Sequence, residues 1–376
     1  MTPNVQCTLA SQLLRVWAKI TRFFVSFSLL LSALSVSLAH ADVVIGVTGP
    51  FSGNYTSYGE AMLAGVNAAV DEINKKGGIN GELVNVKSVD DGCDNRQAAA
   101  AAKTLIDSNV ILVVGHFCTF PTLAAAKLYD EAGVPIIVPS STLPVLTDSG
   151  ISHLIRLSAR DDNQAVFAAK RMVQYFAADK IAVLSDGSPT NAVLTAKFLT
   201  QLGTPSPLVL GFKPDSQNID ELVSRLTAQS IQAIYCACAA ADAGLIVSKI
   251  KHIAVYGPDT LLVPQFWEVA GASGEGTLVS FAYDPASAAP ARRVINALEP
   301  SQNVDVLSYA AVQIFAEAAK STGLRNGSSL VAKFKSGYSF HSIIGEISFD
   351  AKGDVQPQRF VWYKWSNGNF AAEQSK

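Results

Sequence analysis

The chain has 376 residues, enough for two domains of ordinary size, and 49% of its residues are hydrophobic. Its 29 Lys and Arg nearly balance 31 Asp and Glu, and this weakly acidic charge argues against a nucleic-acid or anionic-membrane partner. Five cysteines are too few for a disulfide-dense scaffold.

The N-terminal segment has the pattern of an export signal. Three basic residues, Arg15, Lys19 and Arg22, precede an apolar run over 23–38, and the small residues of Ala39-His40-Ala41 follow. The run is short and serine-rich for a membrane span, so we predict a cleaved signal peptide over 1–41 and an exported mature chain. An uncleaved N-terminal anchor is the alternative.

Short β-branched runs alternate with helical patterns through the first half of the mature chain. Predicted strands cover 43–47, 83–89, 110–114 and 135–138, and predicted helices cover 59–74, 97–106 and 123–131. Strands separated by helices of this length are typical of βαβ units and a parallel sheet.

The same alternation restarts after residue 156. Predicted strands cover 180–184, 208–212, 233–236 and 260–263, and predicted helices cover 163–176, 191–202, 219–229 and 241–250. A long helix over 306–320 and strands near Ile347 and over 359–363 remain at the end. We therefore predict an α/β fold of two lobes, with the end of the chain returning to the first.

Candidate binding residues follow from where such folds bind their ligands. In open α/β sheets, ligands lie beyond the carboxyl ends of the strands and at helix N-termini. The first lobe offers hydroxyl groups there, among them Thr119, Ser140, Ser141 and Thr142, which suit a small carboxylate. Each one taken alone is better explained as a helix N-cap, but Thr119, Ser140 and Thr142 as a set favour binding. Asp161 is the best candidate to face an ammonium, with an N-cap role as its alternative.

Catalytic motifs are scarce. The sequence contains no HExxH, no G-x-S-x-G, no G-x-G-x-x-G and no P-loop. Cys236 and Cys238 lie in an apolar strand without the C-x-x-C spacing, so we expect buried structural thiols, and we expect His116 to be structural too. We predict no enzymatic chemistry, no cofactor and no metal.

Several segments carry a resemblance to a known family. They are Gly49-Pro-Phe-Ser-Gly53 with Tyr58-Gly59, Asp71-Glu-Ile-Asn74, Asp90-Asp-Gly-Cys93-Asp94, Gly115-His-Phe-Cys118 and Val138-Pro-Ser-Ser-Thr142. With them, nearly all of the mature chain resembles the extracytoplasmic solute-binding proteins of branched-chain amino acid ABC transporters.

The resemblance implies a type I periplasmic binding fold. Two Rossmann-like lobes with central parallel sheets would be joined by three crossovers and would close on a ligand in the cleft between them. The first lobe would comprise 42–158 and 283–348, and the second 159–282 and 349–376. A disulfide between Cys93 and Cys118 is also implied.

The resemblance further assigns roles to individual residues. Thr119, Ser140 and Thr142, with the backbone around Ser141, would bind the α-carboxylate of the ligand. The side-chain pocket would be lined by Tyr58, Phe117 and Cys118. Asp161 would sit near the hinge.

The second lobe departs from the family pattern. Members that bind α-amino acids hold the ammonium with an aromatic residue and an acid after two second-lobe strands, and the best-matching positions here are Ala239 and Gln265. A typical Tyr is replaced near Thr190. Either Asp161 or Asp186 then carries the cation, or the ligand is not an α-amino acid, because a buried ammonium needs an anionic or π partner.

Together these features predict the solute-binding component of an ABC importer, monomeric, which captures an amino acid and delivers it to a membrane permease. Ligand contacts to the second lobe would favour the closed state. An aromatic or aliphatic carboxylate or amide without the α-amine is the alternative ligand. A sensory ligand-binding subunit is the alternative function.

Overall fold

The computed structural model describes residues 43–203, 208–212, 219–295 and 303–373. The predicted signal peptide over 1–41 lies outside these residues. Among the residues described, no helix is long and apolar enough to cross a membrane.

The first sheet is parallel, with the strand order β2-β1-β3-β4-β5. Its strands are β1 (Val43–Gly49), β2 (Val84–Asp90), β3 (Leu112–Val114), β4 (Ile136–Val138) and β5 (Leu154–Arg156). The connecting helices are α1 (Thr56–Lys75), α2 (Asn95–Asp107), α3 (Thr119–Glu131) and α4 (Val145–Asp148), with a 3-10 turn over Gly53–Tyr55. Strands β3 and β4 are uninterrupted apolar runs because helices cover both faces of the sheet.

The second sheet has seven strands in the order β15-β14-β10-β9-β8-β6-β7. Its parallel strands are β6 (Ile181–Ser185), β7 (Leu208–Gly211), β8 (Ala233–Ala237), β9 (Ala254–Gly257) and β10 (Leu278–Ala282). The antiparallel strands β14 (Phe360–Ser366) and β15 (Asn369–Ala372) extend it at one edge. Its helices are α5 (Asp161–Tyr175), α6 (Pro189–Leu202), α7 (Ile219–Ala228), α8 (Ala240–Lys249) and α9 (Pro264–Ala270), and 3-10 turns cover Ala178–Lys180, Asp259–Leu261 and Gly271–Gly274.

The remaining elements pack against the first lobe, and three of their strands form a small third sheet. A 3-10 turn over Pro285–Ser287 and the helices α10 (Arg292–Ile295), α11 (Val304–Thr322) and α12 (Gly327–Phe334) precede an antiparallel sheet of β11 (Phe340–Ser342), β12 (Gly345–Phe349) and β13 (Val355–Gln356). Helix α11 packs against α1 so closely that a Cβ on Gly65 would lie 2.0 Å from the carbonyl oxygen of Asp305. The return of the chain to the first lobe is thus visible in the packing of α11.

The chain crosses between the first and second sheets three times. It leaves the first sheet after β5, returns after β10 and crosses again after β13. Because β13 pairs with β12, the third crossing lies at 357–359. The lobe boundaries that we predicted from the sequence, at 158, 282 and 348, concern which segments move together, and they remain a prediction.

A buried ion-pair cluster lies at the end of β5 and the start of the first crossing. Arg156 at the end of β5 donates from Nε to Asp354 Oδ1 at 2.8 Å, and Arg160 donates from Nη1 to Asp354 Oδ2 at 2.9 Å. Arg160 also donates to Asp148 and Asp162. The start of the first crossing is therefore held to the segment that precedes β13 by a shared carboxylate.

Candidate functional site

Two loops of the first sheet, after β3 and after β4, meet at the carboxyl ends of its strands. The hydroxyl groups of Ser140 and Ser141, after β4, donate to the carbonyl oxygen of Phe117, after β3, at 2.8 and 3.1 Å. The next residue, Cys118, is the N-cap of α3, whose first residue is Thr119. The first N–H groups of a helix have no acceptor inside the helix, so this point favours an anion. Both serine hydroxyls already donate to the Phe117 carbonyl oxygen. The N–H groups at the start of α3 and the Thr119 hydroxyl are therefore the main groups available to bind an anion.

An aromatic wall lies beside this helix start. The rings of Tyr58 and Phe117 stack with their centroids 4.6 Å apart, and Tyr55 packs at 6.0 Å from Phe117. Tyr58 is 37% exposed and Tyr55 is 49% exposed. The wall therefore presents apolar ring surface that a ligand side chain can cover.

Two carboxylates lie close together where the first crossing enters the second lobe. Asp161 is the first residue of α5; its carboxylate accepts a hydrogen bond from the Thr142 hydroxyl at 3.0 Å, and its backbone N–H donates to the Thr142 carbonyl. Burial and the neighbouring charge of Asp259 raise the pKa of Asp161 to about 6, although the Thr142 hydrogen bond opposes the shift. Asp259 follows β9, and burial raises its pKa as well, against a hydrogen bond from Gln164.

A phenol adjoins these two acids. Tyr235, on β8, is fully buried, and its hydroxyl has no hydrogen-bond partner among the described residues. Burial together with the charges of Asp259 and Asp161 raises its pKa. Two carboxylates whose pKa values are raised by burial form a site that favours a cation.

Asp186, the acid in the first loop of the second lobe, already has hydrogen-bond donors within the protein. Asp186, after β6, accepts hydrogen bonds from Asn191 Nδ2 at 3.0 Å, from the backbone N–H of Ser188 at 2.9 Å and from that of Ala239 at 3.1 Å. Asp186 therefore joins the ends of β6 and β8. Of the two acids that the sequence offered for an ammonium, only Asp161 lies beside a second carboxylate with a raised pKa.

The comparisons with known proteins agree on one family. The family model of the periplasmic binding proteins matches residues 42–369. The Leu/Ile/Val-binding protein homolog 1 of Brucella suis is 32% identical over 343 residues, which cover 88% of this chain and 92% of that one. The chain belongs to the periplasmic binding protein family.

Solved structures show the same fold. The ABC transporter substrate-binding protein of Desulfitobacterium hafniense, solved in complex with Leu, matches with a TM-score of 0.69 at 23% identity and covers 89% of this chain and 100% of its own. A solute-binding protein of an ABC transporter from R. palustris, solved with benzoate, matches with a TM-score of 0.63 at 18% identity, over 88% and 95% of the two chains. This periplasmic binding protein therefore has the type I fold of solute-binding proteins whose ligands differ.

The structure corrects the predicted end of the second lobe in this binding protein. The predicted strand over 260–263 is wrong: the strand is β9 (Ala254–Gly257), and Asp259–Leu261 is a 3-10 turn. Gln265 is consequently an exposed residue in the first turn of α9 rather than a strand-end residue. The acid that follows the strand is Asp259, which sequence reasoning missed.

Two further site residues of this binding protein lie on the surface of the second lobe. Thr190 is an exposed residue in the first turn of α6, and Ala239 is the exposed N-cap of α8. The helix predicted over 163–176 begins at Asp161, with Arg160 as its N-cap, so the alternative role of Asp161 as an N-cap is wrong.

The cysteines of this binding protein form two pairs. The disulfide between Cys93 and Cys118 is present and links the loops after β2 and β3. The expectation of free thiols at Cys236 and Cys238 is wrong, because these buried residues form a second disulfide. Residues i and i+2 of an extended chain face the same side, so the spacing of Cys236 and Cys238 was an indication of a disulfide that we overlooked.

His116 is structural, as expected. Its ring is fully buried, and Nδ1 lies 2.6 Å from Asp91 Oδ2. Asp91 also accepts from the backbone N–H of Cys93, and its own N–H donates to Gly49. This pair fixes the turn that carries Phe117 and Cys118.

Proposed function

We propose that this protein captures a free α-amino acid between its two lobes and delivers it to the permease of an ABC importer. The observation that carries the proposal is the pair of largely buried carboxylates, Asp161 and Asp259, with raised pKa values. An α-ammonium placed between them would neutralise charge that the protein itself leaves uncompensated. The unpartnered hydroxyl of Tyr235 offers this site a further polar contact.

The opposite end of the ligand would meet the start of α3. A carboxylate there would accept hydrogen bonds from the N–H groups at the helix start and from the Thr119 hydroxyl. The helix dipole also favours a negative charge at this end. Thr142 connects the two ends, since it follows the loop of Ser140 and Ser141 and its hydroxyl binds Asp161. A zwitterion matches both charged ends of the site.

The ligand's side chain would lie against the aromatic wall of Tyr55, Tyr58 and Phe117. Their exposed ring surface suits a branched-chain or an aromatic side chain, because both bury apolar area without needing hydrogen bonds. We therefore expect leucine, isoleucine, valine or phenylalanine among the ligands.

An aromatic carboxylate without an α-amine is the second candidate. The stacked aromatic wall favours it, and a structural neighbour is bound to benzoate. Against it stand the two acids, since a ligand without a cation would leave Asp161 and Asp259 uncompensated in the closed cleft.

A thermal-shift screen of the ligand-free protein separates the two candidates. A ligand at 100 times its Kd stabilises the protein by about 2.7 kcal/mol. We expect leucine, isoleucine, valine or phenylalanine to raise the Tm and benzoate to leave it unchanged. The variants Asp161→Asn and Asp259→Asn should lose the response, while Asp220→Asn, an exposed residue paired with Lys249, should keep it. A response to benzoate alone would overturn the amino-acid proposal.

Transport and periplasmic location complete the proposal. Export would follow from the signal peptide over 1–41, and the family's solute-binding role implies a permease partner. Deleting the gene should lower uptake of radiolabelled ligand by the cells. Uptake that is unchanged, in cells that still respond to the ligand, would favour the sensory role instead.

A further inference from the structure

Gln164 lies near the start of α5, on the helix face that also carries Asp161. The two residues are three positions apart, and residues at this spacing are neighbours on a helix surface. Gln164 is 4% exposed, so its amide has to find its hydrogen-bond partners inside the protein. The start of α5 therefore places a buried amide beside one acid of the proposed ammonium site.

The amide of Gln164 reaches the other acid of that site. Its nitrogen Nε2 donates to Asp259 Oδ1 at 3.0 Å and to the backbone carbonyl oxygen of Ser280, on β10, at 2.5 Å. Both partners are acceptors, and an amide nitrogen has two hydrogens to donate, so these contacts fix the orientation of the amide. Gln164 therefore joins the carboxylate of Asp259 to both α5 and β10.

The backbone beside Asp259 is held from the same strand. The hydroxyl of Ser280 donates to the carbonyl oxygen of Gly257, the last residue of β9, at 3.3 Å. The 3-10 turn that follows begins at Asp259. Ser280 thus holds the end of β9, and Gln164 holds the side chain that follows it.

The charged and titratable groups around the two acids come from three elements. Asp161 lies on α5, Tyr235 on β8 adjoins both acids, and the charge of Arg156, on β5, lowers the pKa of Asp161. Burial raises the pKa of Asp259, and the hydrogen bond from Gln164 opposes that shift. Removing this bond would therefore disfavour the ionised form of Asp259.

We propose that Gln164 is a positioning residue of the ammonium site, which holds Oδ1 of Asp259 and directs the carboxylate toward the ammonium that it shares with Asp161. The inference rests on the proposed function. Thr142 has the same relation to Asp161, whose carboxylate accepts its hydroxyl. Each acid is thus held by a neutral donor, which orients the carboxylate and leaves its charge for the ligand.

Carbon-13 NMR titration of the aspartate carboxyl groups tests this role in the ligand-free protein. Gln164→Met keeps the length of the side chain and removes the donor. It should raise the titration midpoint of Asp259 by about one pH unit, as expected for one hydrogen bond to a charged group. The midpoint of Asp161 should fall, because a protonated Asp259 no longer repels its charge. Gln174→Met, at an exposed position of the same helix, should change neither midpoint.

Isothermal titration calorimetry measures the consequence for binding, with whichever of leucine and phenylalanine binds the unmodified protein more tightly. Relative to that protein, Gln164→Met should bind the amino acid about tenfold more weakly at pH 6.5. Part of this loss should be recovered at pH 8.5, where we expect Asp259 to be ionised in both proteins. Gln174→Met should bind with unchanged affinity at both pH values.

Three results would overturn the positioning role. They are an Asp259 midpoint that Gln164→Met leaves unchanged, full affinity of this variant at pH 6.5, or an equal loss at both pH values, which would indicate damaged packing alone. Should Gln164→Met not fold, Gln164→Asn, which is too short to keep the contact, takes its place in both measurements. A shifted midpoint in a protein that binds neither amino acid would count against the proposed function alone, because the titration is read without ligand.

Discussion

Replacing Asp161 by Asn should make the ligand-free protein more stable at neutral pH. Burial and the charge of Asp259 raise the pKa of Asp161 from 3.8 to about 6, so the folded protein resists its ionisation. An asparagine keeps the shape and can still accept the hydrogen bond from Thr142, without the charge. The perturbation therefore removes a cost to folding and, with it, the proposed partner of the ligand ammonium.

The magnitude and its pH dependence follow from the pKa of Asp161. Below pH 3.8 the Asp161 carboxyl holds its proton in both the folded and the unfolded chain, so it does not reduce the free energy of unfolding. Stability is lost as the pH rises through about 6, to a total of about 3 kcal/mol when the carboxyl is ionised in both states. With an unfolding entropy of about 0.7 kcal/mol/K for a chain of this length, the variant should melt about 4 °C higher at pH 7.5.

Differential scanning calorimetry of the ligand-free proteins between pH 4.5 and 7.5 measures this difference. The gap in Tm between Asp161→Asn and the unmodified protein should widen with pH. The neighbouring variant Asp162→Asn is the matched control with the opposite sign: burial alone would raise the pKa of Asp162, but its hydrogen bonds with Arg160 and the charge of Lys197 lower it overall. That variant should be destabilised at pH 7.5. A lower Tm for Asp161→Asn at pH 7.5, or a gap that does not change with pH, would refute the reasoning.

Three other predictions concern the site and its supports. Affinity for an α-amino acid should fall about tenfold from pH 7.5 to pH 5, because a carboxyl of pKa about 6 is then roughly one-tenth ionised; isothermal titration calorimetry measures it, and a flat profile would exclude Asp161 as the ammonium partner. Replacing both Cys93 and Cys118 by Ser should cost about 3–4 kcal/mol of stability, since the disulfide closes a loop with a sequence separation of 25, and an unchanged urea midpoint would contradict this. Arg156→Leu should destabilise the protein by about 3–5 kcal/mol, because it leaves the buried carboxylate of Asp354 short of a partner, and a loss below 1 kcal/mol in the same assay would show that Arg160 compensates fully.

The sequence predicted the fold well because its local patterns agree with the tertiary structure. Buried runs such as Ile136–Val138 are apolar throughout, and helices of ordinary length separate them, which together indicate a parallel sheet covered on both faces. The positions of Thr119 and Thr142 beyond strand ends followed from the same alternation. What lies after a strand is predictable wherever the strand itself is.

The second acid was missed for the same reason. The apolar run Leu261-Leu262-Val263 looks like a strand, but Pro258 and Pro264 bracket it, and the chain there forms a 3-10 turn followed by a helix. The real strand, Ala254–Gly257, is only four residues long and begins two residues after His252, which has a positive φ. Because the strand was predicted a few residues too late, Gln265 instead of Asp259 was taken as the residue that follows it.

Long-range charge pairing left no mark in the local pattern. Arg156 and Asp354 are far apart in the sequence and meet only because the residue before β13 lies beside the end of β5. The hydrogen bond from Gln164 to Asp259 is likewise visible only once α5 lies beside the turn that follows β9. Both features depend on tertiary structure rather than on residue order.

The central claim is that the cleft selects a zwitterion, and calorimetric titration of matched ligand pairs tests it most directly. Leucine would be compared with 4-methylpentanoate, and phenylalanine with 3-phenylpropanoate, each pair differing in the α-amine. We predict that at least one of the amino acids binds and that its deaminated partner binds more than about 100-fold more weakly, because Asp161 and Asp259 would be left uncompensated. Deaminated acids that bind as tightly as the amino acids would contradict the account.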